Sequence, residues 1–384
     1  MSNQNKQIAE LFSSLADGLE TGSFAGKFQI GLTIPGSEHG EEELIKAAKL
    51  AKKSNPDLDI ILIGGQETAG FKQFPAKTLE DAHKEMERLF KEGIIKAAVT
   101  MHYNFPLGMS TVGKVITPAL GKEMIIATTT GTTDANRYKA MLLNTIAGIA
   151  TAKADGIENP TVGLLNIDGI ALVEKALLKM KEKGYNVRFT ESKRADGGVR
   201  MRGNDLLQGT PDVMVCDTLT GNLLMKMFSS FQTGGSYEAS GFGYGPCVGT
   251  VYPDVVGIVS RASGAPVIAN ALKYIASTAR GNLQTIYASE LKSAKQAGLD
   301  ELLEGMPGAK PVAASCEEVK APPKKIVNEE VAGIDVIEIE DACKSLWKVS
   351  VYAETGMGCT GPVILVAKED HEKAMETLKK EGFI

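Results

Sequence analysis

The sequence is poor in the residues that build the common metal and cofactor sites. Its five cysteines (Cys216, Cys247, Cys316, Cys343 and Cys359) are an odd number and form no CxxC pair. That excludes a disulfide framework and a structural zinc site as natural readings, and leaves the thiols free. The four histidines (His39, His83, His102 and His371) are scattered, and there is no HExxH, so no metal is called for. His83 and His371 fall in polar helical patterns and are expected in solvent. No GxGxxG joins a strand to a helix and there is no GxxxxGK[ST], so dinucleotide and P-loop cofactor sites lack their glycines. No apolar run approaches the ~20 residues that cross a bilayer. The opening MSNQNKQIAELF has no charged-then-apolar signal pattern, so a cytoplasmic location is expected. Neither sign of charge dominates. The net charge of −5 gives no electrostatic footprint for nucleic acid.

What the sequence does have is glycine, 41 of them, and a regular alternation of two patterns. Residues 1–25 open with Ile8, Leu11, Phe12, Leu15 and Leu19 at helical spacing. Strand candidates follow at Phe28–Ile34, Asp59–Gly65, Ala97–Tyr103, Met124–Thr130, Thr161–Ile167, Asn186–Thr190, Asp212–Asp217 and Asp254–Ser260. Most are continuous apolar runs, as strands covered on both faces require. Helical patterns such as EEELIKAAKLAKKS, DANRYKAMLLNTIAGIATAKA and LTGNLLMKMFSSF lie between them. The expected fold over residues 26–300 is therefore α/β, a mostly parallel sheet layered by helices. Its pocket is expected at the carboxyl ends of the strands, which are rich in Gly, Ser, Thr and Asn. Residues 301–332 hold four prolines and mixed charge and read as a linker. Residues 333–384 read as a small α+β unit of three strands, beginning with IDVIEIE, and one helix.

Three segments carry possible chemistry. In CDTLTGNLLMK, Asp217 ends a strand and can cap the next helix. Thr220 and Asn222 line the first turn and Lys226 lies a turn further on. Free backbone N–H groups at such a helix start attract anions, so a phosphate suits the arrangement, although the local sequence taken alone favours a plain helix cap with a solvated lysine. Asn204 and the glycine-rich SGFGYGPCVG are candidates for the same pocket border, with Cys247 at its rim. TTTGTTDANRYK gathers hydroxyl and amide side chains around Gly131. There Asp134 is a candidate cap, with Arg137 in the helix's first turn. In ETGMGCTGP, Cys359 sits among Gly358, Thr360 and Gly361, whose backbone donors can stabilise a thiolate or the oxyanion of a thioester. A hairpin loop with a packed cysteine is the plain alternative. Cys216 reads as a buried hydrophobe, Cys316 as part of the linker, and Cys343 as part of a helical turn ahead of Trp347.

Several of these segments resemble a known family. TVGLLNID and NDLLQGTPDVMVCDTLTGNLLMK are similar to the core of the bacterial acyl-carrier-protein:phosphate acyltransferases. IGLTIPGSEHGEEELIKAAKLAKKSNPDLDIILIGG resembles their first βαβ unit, and GYGPCVG with DVVGIVSRASGAPVIANALKYI their closing strand and helix. The resemblance spans residues 28–282 and implies a phosphotransacetylase-like fold that joins an acyl group to phosphate. Three features differ. TIPGSE stands where that family has D-A-M-G-G-D, Asp168-Gly169-Ile170-Ala171 replaces its G-E-E segment, and the GMGCTGP unit has no counterpart there. The combination resembles the smaller subunit of component C of the glycine, sarcosine and betaine reductase complexes.

That second resemblance implies a function, partners and site residues. Cys359 would carry an acetyl thioester that inorganic phosphate releases as acetyl phosphate. Gly358, Thr360 and Gly361 would hold the oxyanion. Phosphate would bind near Asp217, Thr220, Asn222, Lys226 and Asn204. The partners would be a larger, ketoacyl-synthase-like subunit and a selenoprotein carrying a carboxymethyl group. No cofactor is implied. Two other readings stay open: a direct acyl-carrier-protein or acyl-CoA:phosphate acyltransferase with no covalent thiol, and a non-catalytic docking subunit.

Overall fold

Strands buried on both faces need continuous apolar runs. The first, Phe28–Thr33 (β1), pairs in parallel with the second, Leu58–Ile63 (β2), from Phe28↔Leu58 to Thr33↔Ile63. Ile60 and Leu62 of β2 join one apolar cluster while Ile61 and Ile63 join another, so the period of two sends alternate side chains to opposite faces of the sheet. The computed structural model describes residues 26–195, 197–307, 321–327, 329–334, 338–358 and 361–384, with Phe12, Leu15 and Ala16. The helix expected over residues 1–25 lies outside the described residues except at those three, which are helical.

Between β1 and β2 lies α1 (Glu41–Ser54). The chain continues through β3 (Lys72–Phe74), α2 (Leu79–Lys91), β4 (Ala97–Thr100), β5 (Met109–Ile116), β6 (Glu123–Thr132) and α3 (Arg137–Ala154). Then come β7 (Thr161–Leu165), α4 (Ile170–Glu182), β8 (Arg188–Phe189), β9 (Arg200–Met201), α5 (Gly203–Gln208), β10 (Val213–Val215) and α6 (Thr218–Ser230). The core ends with β11 (Gly245–Gly249), β12 (Val255–Ile258), α7 (Ala265–Arg280), α8 (Leu283–Gln296) and α9 (Leu299–Glu304).

These strands form one sheet in the order β3-β2-β1-β4-β12-β11-β5-β6-β10-β7-β8, with β9 also on β7. Two parallel halves flank an antiparallel centre: β11 runs against both β12 and β5, and β5 against β6. The fold is thus the expected α/β sheet, mostly parallel, with helices over both faces.

The central strands are where the sequence reading differs from the structure. β5 (MSTVGKVI) contains Ser110, Thr111 and Lys114, yet Lys114 is buried, its ammonium donating to Glu123 Oε2 and Asp155 Oδ2, both at 2.9 Å. Pairing of the Lys114 ammonium, and of the Thr111 hydroxyl with those of Thr129 and Thr130, lets these two polar side chains sit in the core. The glycine-rich segment read as a loop supplies β11. Gly245 there has φ +87°, and a Cβ would fall 1.7 Å from Val112 O, so only glycine lets the strand approach β5 this closely.

The terminal unit is a three-stranded antiparallel sheet in the order β13-β15-β14, formed by β13 (Glu329–Ala332), β14 (Ala353–Gly358) and β15 (Gly361–Val366), with α10 (Ile339–Lys348) and α11 (His371–Glu381). Its first strand lies inside the stretch read as linker, and α9 runs into that stretch from the other side. Of IDVIEIE, the segment expected to supply it, residues 335–337 lie outside the described residues and Ile339 and Glu340 belong to α10. Ile339, Ala342, Cys343 and Leu346 recur at helical spacing and are all buried on α10. The unit has its own core, including Val331, Leu346, Ile364, Val366 and Leu378. It touches the main sheet layer where Lys175 Nζ of α4 donates to Gly382 O at 2.9 Å.

Candidate active site

The site is built around the start of α6. Asp217 caps the helix: its carboxylate accepts from the Thr220 amide at 3.1 Å and the Thr220 hydroxyl at 2.6 Å. The Arg137 guanidinium, from the start of α3, donates to the same carboxylate at 3.1 Å. Burial pulls the Asp217 carboxyl upward, but the Thr220 donors and Arg137 outweigh it and hold the group below the usual carboxylate range. Two strand ends, those of β6 and β10, are thereby tied together. Asn136, not Asp134, caps α3, accepting from the Tyr138 and Lys139 amides. Asp134 instead accepts from the Asn136 amide.

α6 lies hard against β6. A Cβ on Gly221 would fall 1.8 Å from Thr128 O, so the close approach requires glycine. At the facing edge the β5–β6 register slips from Thr111↔Thr130 to Val112↔Ala127, which leaves Thr128 and Thr129 bulged out of the ladder. Those residues then bond outward. The Thr128 and Thr218 hydroxyls meet at 3.1 Å, and Thr129 Oγ1 donates to Tyr244 O at 2.6 Å. Asn222 Nδ2 donates to Thr129 O at 3.1 Å, using one of its two N–H groups.

A cleft of about 530 Å³ opens where the two parallel halves of the sheet meet. Asn222, Thr130, Thr132 and Ser260 form a polar wall, and Tyr103, Phe105, Tyr244 and Ile258 an apolar one. Behind the polar wall Lys226 Nζ donates to Glu238 Oε1 at 2.8 Å and to Ser260 Oγ at 3.3 Å. Two of the three ammonium donors are committed in this way. Glu238 has no solvent exposure, and a buried carboxylate needs such partners. It also accepts from Ser263 Oγ at 2.5 Å and the Tyr244 hydroxyl at 3.4 Å. The opposite rim carries an aromatic group: Tyr103 packs on Phe105, Tyr252 and His83. His83 is half-buried and bonds the Thr100 hydroxyl at 3.0 Å, rather than being solvated. Burial and the nearby His102 hold its imidazole below the usual range.

Of the residues singled out from sequence, Asn222 lines the cleft and Lys226 bonds Ser260 in its wall. Asp217 and Thr220 spend their hydrogen bonds on each other and Arg137. Asn204 is exposed on α5 and does not line the cleft. Its neighbour Asp205 is buried and accepts from Ser192, Lys193, Arg202 and Thr210, a structural role. Cys247 is not a rim residue: it is fully buried on β11, and burial pushes its thiol up to about 12. Cys216 is buried as expected, its thiol raised by burial. The β14–β15 ladder runs to Gly358↔Gly361; Cys359 and Thr360 lie outside the described residues, as does Cys316. Glu238 and the 101–107 segment were not identified from sequence as part of the pocket, whereas Tyr244 comes from the glycine-rich segment read as its border. Glu238 is a lone acid among small residues, with no periodicity to mark it. Among the described residues no group of three His, Cys, Asp or Glu side chains converges as a metal would need. No helix among them is long and apolar enough to cross a membrane.

A sequence model of the fatty acid synthesis protein family matches residues 28–365, from β1 into β15, and the chain belongs to that family. It is 53% identical over 384 residues, all of both chains, to the glycine/sarcosine/betaine reductase complex component C subunit alpha of Peptoclostridium acidaminophilum. A phosphate acyltransferase of Thermotoga petrophila is 28% identical over 234 residues, 52% of this chain and 67% of its own. Among solved structures, a branched-chain phosphotransacylase from Enterococcus faecalis V583 aligns with 66% of this chain and 99% of its own, at 17% identity and a TM-score of 0.46. Both resemblances read from the residues, to component C smaller subunits and to phosphate acyltransferases, are present in these similarities.

Proposed function

We propose that the chain transfers an acyl group to phosphate in the cleft between the two halves of the sheet, as the smaller subunit of a component C-type assembly. The observation that carries this is the polar wall itself. Asn222, Thr130, Thr132 and Ser260 present polar groups at the carboxyl ends of the strands, in the same cleft as the apolar side chains of Tyr103, Phe105 and Ile258, which suit an acyl chain. Names of relatives, a component C alpha subunit and a phosphate acyltransferase, support the same reaction class. Asp217 and Thr220 fix the helix that carries the donors. A carboxylate is itself a poor phosphate ligand, so the anion contacts fall to Asn222 and the wall hydroxyls, with the Lys226 ammonium behind Ser260 adding positive charge.

In the finer form of this reading the donor is an acetyl thioester on Cys359. A phosphate oxygen attacks its carbonyl carbon, and the new C–O bond forms as the C–S bond breaks. The sulfur leaves with the electron pair and takes a proton from solvent. Backbone donors of Gly358, Thr360 and Gly361 would meet the developing oxyanion. The acetyl group would arrive from the selenoprotein partner, with the larger subunit completing the assembly.

Arsenate-dependent hydrolysis of acetyl phosphate by the purified full chain tests the reading. The reverse reaction acetylates the thiol, and arsenate then removes the acetyl group. Wild type should consume acetyl phosphate only with arsenate present, and Cys359→Ala should lose the activity. No arsenolysis by wild type would overturn the acyl-phosphate reading for this chain. A fully active Cys359→Ala would instead assign direct transfer without the thiol.

A further inference from the structure

Passing an acyl group from sulfur to phosphate moves a proton as well as a bond. Hydrogenphosphate carries a proton that acetyl phosphate lacks, and the departing sulfur needs one to leave as a thiol. A group in the cleft that takes the first and supplies the second eases both halves of the step. Among the described residues that line the cleft, the titratable side chains are His102, Tyr103 and Tyr244. Burial raises both phenols above their ordinary range, so neither gives up its proton near neutral pH. Histidine is the side chain suited to exchange one there. Lys226 and Glu238 lie behind the polar wall and are paired with each other.

The chain on either side of His102 is fixed. Thr100 ends β4, and its hydroxyl accepts from Thr33 Oγ1 at 2.8 Å and bonds the His83 ring at 3.0 Å. Met101 is buried, and the His83 ring also bonds the His102 backbone. Tyr103 donates to Glu87 Oε1 at 2.6 Å, and its ring meets that of His83 edge-on with centroids 5.2 Å apart. His83 and Glu87 are one turn apart on α2, so a single face of that helix holds the segment. His102 lies between these anchors, exposed and lining the cleft. β4 pairs in parallel with β12 from Ala97↔Val255 to Thr100↔Ile258, and the Val259 amide donates to Thr100 O at 2.9 Å. Continuing that register by two residues sets His102 level with Ser260, on a neighbouring strand path about 4.8 Å away. Ser260 carries the wall hydroxyl that the Lys226 ammonium reaches. The imidazole thus stands beside the place assigned to phosphate.

We propose that His102 is the catalytic proton carrier of the cleft, an assignment that rests on the acyl-phosphate reading above. Neutral His102 takes the proton of hydrogenphosphate as the phosphate oxygen attacks the thioester carbon and the new C–O bond forms. The imidazolium then gives that proton to the sulfur as the C–S bond breaks, in place of solvent. The imidazole ends neutral, as it began, so no further reactant is needed. In the reverse direction it takes the thiol proton and returns it to the departing phosphate.

Steady-state arsenolysis of acetyl phosphate by the purified full chain tests it. The side chain is exposed, so His102→Gln and His102→Ala should melt within a few degrees of wild type. His102→Gln should lower kcat at least ~100-fold, the low end of what a positioned acid–base group contributes, with half-saturating arsenate within about twofold of wild type. Free imidazole should restore part of the activity to His102→Ala and none to Cys359→Ala, a recovery that a merely structural role does not give. His102→Gln at wild-type kcat would overturn the proposal and leave the acyl-phosphate reading standing. So would a loss confined to half-saturating arsenate, which would make His102 a binding group. A wild type without arsenolysis would strike the acyl-phosphate reading itself, and the proposal with it.

Discussion

The Lys226 ammonium lies 2.8 Å from Oε1 of Glu238, and the two partners differ sharply in exposure: the lysine side chain is 41% exposed, the glutamate side chain 1%. Removing either partner therefore has unequal consequences. Lys226→Met leaves an unpaired carboxylate with no route to water, whereas Glu238→Gln leaves a cation that reaches solvent. We expect Lys226→Met to lower stability by about 2–3 kcal/mol, below the range for fully buried pairs because the lysine is partly solvated. Glu238→Gln should cost less, about 1 kcal/mol. Urea melts of the two variants check the order. If the cleft binds phosphate as proposed, Glu238→Gln should also raise half-saturating phosphate about tenfold, a loss of ~1.4 kcal/mol. Glu238→Asp should recover part of it. An unchanged phosphate dependence would leave Glu238 a purely structural residue.

Gly221 offers a sharper steric test. Its added Cβ would sit 1.8 Å from the Thr128 carbonyl oxygen, a backbone atom that has no rotamer to yield. The helix must move off β6, and with it Asn222 and the bond to Thr129 O. Gly221→Ala should cost at least ~1–3 kcal/mol, although alanine is the better helix former. It should also reduce arsenolysis more than its loss of stability explains. A variant as stable as wild type would mean that the helix relaxes freely.

Much of this arrangement was legible in the residues, and the exceptions share a cause. Each of the strand candidates of the core became a strand, because doubly covered strands are written as apolar runs. β5 and β11 were missed since one carries Lys114 and the other has glycine at two of its five positions, and their burial depends on partners far along the chain. Asn222 and Lys226 were visible because they sit at fixed offsets from a helix cap. Glu238 was not, because its meaning comes from Lys226, Tyr244 and Ser263, which only the folded chain brings together. Local spacing records secondary structure well. It records convergence poorly.

The cap itself should be pH-dependent. Asp217 is held below its ordinary range in the folded chain, so the folded state favours its ionised form. A depressed carboxyl contributes stability that is present above its unfolded value, near 4, and is lost as pH falls through the folded value. Asp217→Ala should cost about 1 kcal/mol at pH 7. The gap between wild type and variant should close progressively below pH ~4. Arg137 is 44% exposed, so the helix cap, rather than the ion pair, carries most of the effect. A gap of constant size from pH 7 to pH 3 would show that the carboxylate charge plays no part.

Thiol reactivity separates the cysteines most directly. Attack on an alkylating reagent needs the thiolate, and burial suppresses both its formation and its access. Cys247 is fully buried with its thiol pushed up to about 12, and Cys343 is buried with its thiol pushed up to about 11. At pH 7 their thiolate fractions are on the order of 10⁻⁵ and 10⁻⁴. Cys216 is raised by burial as well. None of the three should react with iodoacetamide in the folded protein, and all three should react once it is denatured. If Cys359 carries the acyl group, it should be the first site labelled at neutral pH, as peptide mass spectrometry would read. Acetyl phosphate should slow that labelling, because an acetylated sulfur cannot be alkylated. Rapid labelling of Cys316 with Cys359 unreactive would count against the thioester, since a sulfur slow towards a small electrophile is a poor acceptor for an acetyl group.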